Sequence, residues 1–348
     1  MWLTRGHDTA VELLQRSIEN QHIAHAYMFS GPQHVGKMTL ALDFARTLNC
    51  KSENGPCNVC NSCQLIGAGK HPDVVIINLN LAGELSRKSP DEEAASRSKI
   101  GIGHIRDIQM LANLPAYSGE YKIFIFEEAQ DLSIPAANRL LKILEEPPPN
   151  VIWILLTAEK YSILPTVLSR CQSIQLHPMS SSSLEKYLTD ELEIEEKQAH
   201  FITRISKGCL GWALSALRSD ELLKERKKWM DSLSVLPSEG IVQRFEYVRK
   251  LSTEISKQKQ KAAIIVENVR SWWHDLLTIK GGNKEAIVNI DYETMLLQQS
   301  EQLSFEEIIN FIRCLYEVEE QIKHNVNPRM AFEMLMLNMP RIKIEQAV

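Results

Sequence analysis

Apolar residues recur along this chain with two different periods, and the change from one to the other divides it. In the first half, short continuous apolar runs alternate with stretches at helical spacing. The runs are His25–Ser30 (HAYMFS), Asp73–Leu79 (DVVIINL), Tyr121–Phe126 (YKIFIF) and Val151–Leu156 (VIWILL), and one more strand is expected at Ser173–Leu176. A continuous run bounded by turn residues predicts a strand buried on both faces, as in a parallel sheet. Between the runs, His7–Gln21 places Val11, Leu13, Leu14 and Ile18 on one helical face, and Met38–Leu48 does the same with Leu40, Ala41, Phe44, Ala45 and Leu48. Ile105–Leu114 and Asn138–Glu146 read as further helices, the second stopped by Pro147, Pro148 and Pro149. Strands and helices alternating at this length predict a parallel sheet with helices on both sides. The polar stretch Leu81–Ile102 is expected to be a surface loop.

From Pro178 onward the strand signal stops. Ser182-x-x-Glu185 has the form of a capping box opening a helix through Leu192, and Ser304-x-x-Glu307 repeats the form near the end. Helices are expected at Gln198–Lys207 and Leu210–Leu217, with longer ones beyond Asp220, broken at Pro237, Gly240 and Gly281-Gly282. The second half is therefore expected to be all-helical, a small bundle followed by a larger one. The predicted domains are 1–178, 179–220 and 221–348. Trp272 and Trp273 point to different sides of one helix, which predicts a bundle core with partial exposure. Lys257, Lys259 and Lys261 read as a solvated face.

Composition narrows the class. With 348 residues, 44% hydrophobic and 24% charged, the chain can bury two or three ordinary cores. No N-terminal stretch has the basic–apolar–small order of a signal peptide, and the apolar runs are too short to span a bilayer, so a cytoplasmic protein without membrane contact is expected. A net charge of −5 argues against nucleic-acid binding through bulk charge, leaving only a local basic face inside a complex. Of seven cysteines, four fall in Cys50-x6-Cys57-x2-Cys60-x2-Cys63, while Cys171, Cys209 and Cys314 are scattered. That clustering fits a metal site in a reducing compartment better than a disulfide framework. Four thiolates favour a closed, structural Zn²⁺ site; redox thiols and an iron–sulfur cluster are the alternatives.

The sharpest chemical signal lies in Tyr27–Thr39 (YMFSGPQHVGKMT). Gly31, Gly36 and Lys37 match G-x-x-x-x-G-K between a strand and a helix, the phosphate-binding P-loop. The next position calls for a hydroxyl to ligate Mg²⁺, but Met38 offers only a thioether, and Thr39 is turned about 100° away along the helix. Downstream, the strand Tyr121–Phe126 ends in Glu127-Glu128, the place of a Walker B pair. Glu127 is one methylene longer than the usual Asp ligand, whereas Glu128 has the identity of the water-orienting base; two exposed strand-end acids are the alternative.

Taken together, His25-Ala26-Tyr27, the P-loop, the cysteine module after the first P-loop helix, the acidic strand end, AANRLLKILEEP at Ala136–Pro147, LPTVLSRC at Leu164–Cys171 and NVNPRMAFE at Asn325–Glu333 resemble the bacterial clamp-loader AAA+ subunits of DNA polymerase III. The resemblance spans nearly the whole chain. It implies an α/β AAA+ P-loop domain with a parallel sheet, a small helical lid and an all-helical C-terminal collar domain. It also implies gamma/tau and delta subunits as partners, with the sliding clamp and primed DNA reached through the assembled complex. Met38, Glu127 and a lid (Ser206–Leu217) with no arginine at Gly211 or Trp212 depart from the ATPase branch. These departures imply a subunit whose own site holds ATP or ADP, if any nucleotide, without hydrolysing it, and the resemblance leads us to expect no tau-like extension. By the same resemblance Arg170, in Ser-Arg-Cys, is an arginine finger for a neighbour's ATP, and Thr157 is a nucleotide sensor. A surface arginine that caps a helix or pairs with an acid, and a threonine satisfying its own strand end, are the plain readings of these two. An active ATPase of the same family and a zinc-containing P-loop nucleotide kinase are the rival functions.

Overall fold

The computed structural model describes residues 1–52, 55–79, 81, 99–257, 260–323 and 326–342. They fall into two compact units, Met1–Ser183 with Gly208–Trp212, and Leu184–Lys207 with Ala213–Val348.

In the first unit, α1 (Asp8–Glu19) precedes β1 (Ala26–Ser30), and α2 (Lys37–Asn49) and α3 (Asn61–Gly67) lead to β2 (Val74–Ile77). Then follow α4 (Ile102–Ala112), β3 (Lys122–Phe126), α5 (Ile134–Glu145), β4 (Val151–Thr157), α6 (Pro165–Leu168) and β5 (Gln172–Gln175). Among the described residues the strands form one parallel sheet in the order β2-β3-β4-β1-β5. Alternate residues of the central strands feed two cores, because side chains leave a strand on opposite faces in turn. Met28, Phe124, Phe126, Trp153 and Leu155 fill one face, where Phe124 stacks on Trp153 with ring centroids 4.6 Å apart. Tyr27, Phe29, Ile123, Ile125, Ile152 and Ile154 fill the other.

The expectation of strands buried on both faces holds for β1, β3 and β4. It fails at β2, an edge strand whose Val75 and Ile76 are half-buried; β5, the strand expected near Ser173–Leu176, forms the other edge and exposes Gln172, Ser173 and Gln175. Helix α5 begins four residues before the expected Asn138, because Ser133 Oγ accepts the Ala136 N–H at 3.3 Å and Pro135 suits the first turn. The expected loop at Leu81–Ile102 lies mostly outside the described residues, and α4 already begins at its last residue.

Helix α7 (Ser181–Asp190) runs from the end of the first unit into the second. Its cap is not the expected Ser182–Glu185 box. Ser180 Oγ accepts the Ser183 N–H at 3.1 Å, while Glu185 pairs with His200 at 3.2 Å. Helices α8 (Glu196–Ser206), α9 (Leu210–Arg218), α10 (Asp220–Val235), α11 (Ile241–Lys257), α12 (Gln260–Lys280), α13 (Glu293–Gln302), α14 (Phe305–Lys323) and α15 (Pro328–Asn338) complete the chain. The Ser304–Glu307 capping box forms with both reciprocal bonds, at 2.8 and 3.2 Å.

Helix α12 is wrapped by α10, α11, α13 and α14, so Trp272 and Trp273 are both only 1% exposed. The expected partial exposure is absent because neighbours cover both sides of this helix. Trp272 Nε1 donates to Gln299 Oε1 at 3.0 Å, and Trp273 packs on Phe311. The side chains of Lys257 and Lys261, and Lys259 as a whole, lie outside the described residues. No described helix is long and apolar enough to cross a membrane.

Candidate functional site

The P-loop connects β1 to α2. Gly31 opens it, its N–H bonded to the Thr157 carbonyl at 3.1 Å; a Cβ there would lie 2.4 Å from the Leu176 carbonyl oxygen. Gly36 caps α2 at φ +116°, a conformation that L side chains resist. Lys37 follows and is 8% exposed. Its ammonium turns back on its own loop, donating to the Gly31 and Pro32 carbonyls at 2.7 Å each. Burial lowers its pKa, opposed by the charges of Glu128 and Cys209. Met38 packs half-buried against the core beneath the loop, and Thr39 is exposed.

A second strap closes over the loop from within the same unit. Gly211 N donates to the His34 carbonyl at 2.9 Å, and a Cβ on Gly211 would come within 2.6 Å of that oxygen. Of the two lid positions without an arginine, Gly211 and Trp212, the first is one where any Cβ would press on the His34 carbonyl and force the strap to shift. His34 itself sits at φ +60°, and burial together with the Lys37 charge lowers its pKa.

Parallel pairing of β1, β3 and β4 brings Glu127, Glu128 and Thr157 to the P-loop end of the sheet. Exposed Glu127 accepts a bond from Asn78 Nδ2 at 3.1 Å. Glu128 is raised in pKa by burial, against the pull of Gln130 and Lys37. Gln130 donates its amide to Glu128, and its Oε1 lies 2.9 Å from the Thr157 hydroxyl, which also reaches the Glu159 carbonyl at 3.0 Å. The base position and the sensor position are thus tied to each other through one amide. Beside them, burial and the Glu128 charge push Asp131 up to about 6. Gln130 and Asn78 escaped sequence reading, since neither stands inside a recognised motif. The offset of Gln130, two residues past the acidic pair, was the available signal.

Arg170 lies at the other end of the sheet, in the turn between α6 and β5. Its Nη1 donates to the Thr166 carbonyl at 3.0 Å and lies 3.4 Å from Ser169 Oγ; its Nη2 donates to Glu145 Oε1 at 2.7 Å. Nε has no partner among the described residues.

The cysteine module packs beside α2. Sγ atoms of Cys50, Cys57, Cys60 and Cys63 all lie within 4.8 Å of one another. Backbone N–H groups point at three of them: Ser52 N at Cys50 (3.5 Å), Cys60 N at Cys57 (3.3 Å) and Cys63 N at Cys60 (3.4 Å). Such bonds favour thiolate; the Cys60 N–H leads in lowering Cys57 to about 6, and the Cys63 N–H leads in lowering Cys60. Burial pushes Cys63 up to about 12, which is the desolvation that a bound cation would offset. A Cβ on Gly55 would meet Cys50 Cβ at 2.7 Å, so the closeness of the cluster depends on that glycine. These donors fit a tetrahedral, all-thiolate metal ion. Below the module, His71 joins it to the sheet, with Nε2 3.1 Å from Ser62 Oγ and Nδ1 accepting the Asp73 N–H at 3.1 Å.

The sequence pattern of the family described as DNA polymerase III, delta subunit, matches residues 6–180, and that of DNA polymerase III, delta subunit, C terminal, matches residues 220–340. The chain is 25% identical to DNA polymerase III subunit delta' of Bacillus subtilis over 328 residues, covering 94% of each protein. It is 28% identical to DNA polymerase III subunit tau of the same organism over 356 residues, covering 95% of this chain but only 60% of that protein. Among solved structures, a DNA polymerase III gamma subunit-related protein from Thermotoga maritima aligns with a TM-score of 0.42 at 18% identity, covering 95% of this chain and 98% of that one.

Proposed function

The chain belongs to the DNA polymerase III delta-subunit family of clamp-loader proteins, and on that premise we propose that it acts as a delta-prime subunit. In this reading it is the structural end member of a pentamer with gamma/tau and delta subunits, which loads the sliding clamp onto primed DNA. Its own nucleotide site does not turn over ATP. It supplies Arg170 to the ATP of a neighbouring subunit, where a planar guanidinium can pair with phosphate and an arginine finger is worth about 10³–10⁵ in rate. Residues 1–178 form the nucleotide-binding fold, 179–220 the lid and 221–348 the collar.

The supporting observation is a contrast in what each charged group already holds. Lys37 is engaged by Gly31 and Pro32, Glu128 by Gln130, and Gln130 by Thr157. Arg170, half-buried, is held through Nη1 and Nη2 and keeps an Nε–H that has no partner among the described residues. Cys50, Cys57, Cys60 and Cys63 would hold one Zn²⁺, whose contribution is to cross-link the module, since four protein ligands leave no position for substrate. Metal analysis after dialysis should find about one Zn²⁺ per chain, falling below half in Cys60→Ser.

The decisive test compares Arg170→Ala and Lys37→Ala in a complex reconstituted with gamma/tau and delta, reading DNA-dependent ATP turnover. Arg170→Ala should abolish turnover at one site, and Lys37→Ala should leave the total unchanged. Robust, Lys37-dependent hydrolysis by the isolated chain would instead favour an active ATPase subunit.

A further inference from the structure

We propose that Glu145 is the positioning residue for Arg170, holding its guanidinium in the orientation from which it meets a neighbour's phosphate. The inference rests on the arginine-finger reading and adds a residue to it.

Glu145 is the last residue of α5, and the chain turns from there into β4; Arg170 follows α6 and turns into β5. Because β4 and β5 both run parallel to β1, the two turns come to the same end of the sheet although 25 residues separate them in sequence. There Glu145 Oε1 receives Arg170 Nη2 at 2.7 Å, short for a nitrogen–oxygen bond and in the range of charge-assisted pairs. Nη1 is held independently by the Thr166 carbonyl at 3.0 Å. Two anchors on two different nitrogens fix the plane of the guanidinium. They leave the Nε–H and one Nη2–H without a partner among the described residues, and such N–H groups are donors that a phosphate accepts.

Stability gives Glu145 little reason to be where it is. A carboxylate at the C-terminal end of a helix opposes the helix dipole. Its side chain is 50% exposed and that of Arg170 36%, so the ion pair is well screened and contributes little to folding. The two effects oppose each other and leave the pair close to neutral for the fold. The remaining consequence is conformational. An unanchored arginine on a surface turn samples many rotamers, and each one away from the phosphate subtracts from the fraction of time spent in the reactive geometry. Glu145 removes that sampling before the neighbour's ATP arrives.

The test uses the full chain in the reconstituted complex with gamma/tau and delta, comparing wild type, Glu145→Ala, Glu145→Gln and Arg170→Ala. Glu145→Ala should lower kcat for ATP at the neighbouring site about tenfold, which is about 1.4 kcal/mol, with KM for ATP within about twofold of wild type. Glu145→Gln keeps an acceptor oxygen and should recover most of the loss. Thermal unfolding of both variants should match wild type, which separates positioning from damage to the fold. If Arg170→Ala abolishes turnover while Glu145→Ala stays at wild-type kcat, Glu145 does not position the arginine. Higher turnover in Glu145→Ala would overturn the proposal in the other direction, making Glu145 a restraint. If Arg170→Ala itself changes nothing, the arginine-finger reading fails, and that failure is visible independently of Glu145.

Discussion

The P-loop end of the sheet and the turn that carries Arg170 draw on similar side chains and use them in opposite ways. At the P-loop, four of the side chains expected near a nucleotide already have partners within the chain: Lys37 two loop carbonyls, Glu127 Asn78, and Glu128 and Thr157 Gln130. At the turn, Arg170 is oriented by two anchors but not used up by them. Drawing the Lys37 ammonium toward a phosphate would displace two internal hydrogen bonds, whereas the Arg170 Nε–H has no partner among the described residues to give up. Motif spelling alone points to the P-loop as the place of chemistry. The bonding inventory points to the turn.

The largest effect expected from breaking this contrast is at Arg170. Arg170→Lys keeps the positive charge but replaces a planar fork with a point charge, so it should still cost about 10² in turnover at the neighbouring site. Steady-state ATPase of the reconstituted complex measures it; a Lys variant near wild type would mean that charge, not geometry, is what the turn supplies.

Next in size is an attempt to restore the P-loop end. Gly211→Arg returns the cation missing from the lid, but its Cβ would press on the His34 carbonyl at 2.6 Å. The strap must shift, and we expect a loss of about 1–3 kcal/mol in denaturant unfolding with no gain of ATP hydrolysis. Hydrolysis gained by this single change would erase the contrast between the two regions.

A smaller effect is expected at Lys37. Lys37→Met leaves the Gly31 and Pro32 carbonyls without their donor and Glu128 without its nearby cation. The expected cost is about 1–2 kcal/mol, seen as a drop of several degrees in Tm, with turnover of the complex unchanged. A lysine that matters for stability and not for turnover is what separates an internal brace from a phosphate ligand.

Much of the sheet was legible because its central strands are continuous apolar runs, and the cysteine module was legible because its ligands are close in sequence. What escaped depended on tertiary partners. Val75 and Ile76 look as buried as Ile123–Ile125 until the strand order makes β2 an edge. Ser182 and Ser180 compete for one cap in a run of serines, and only backbone geometry selects Ser180. Trp273 looked partly exposed because helical spacing cannot reveal how many neighbours surround α12. At the candidate site, Gly31, Gly36, Lys37, Glu127, Glu128, Thr157 and Arg170 could be named from motifs. Their partners Asn78, Gln130 and Glu145 could not, because a hydrogen bond between distant residues leaves no mark in local spacing.

The smallest expected effect tests how strongly the P-loop end is desolvated. Asp131 titrates at about 6, raised mainly by burial and then by the Glu128 charge, with Lys99 opposing. An unfolded aspartate titrates near ~3.9, so the folded state binds this proton more tightly. Stability from this group is therefore fully present below the unfolded value and is lost as pH rises toward 6. Asp131→Asn, which cannot ionise, should be more stable than wild type at pH 7–8 and lose that advantage near pH 4. Because the side chain is only partly buried, solvent screening limits the gain to about 1 kcal/mol. Paired unfolding curves at the two pH values measure the difference directly. An equal difference at both would mean that Asp131 is solvated in the folded protein, and that the P-loop end is far wetter than its internal bonding implies.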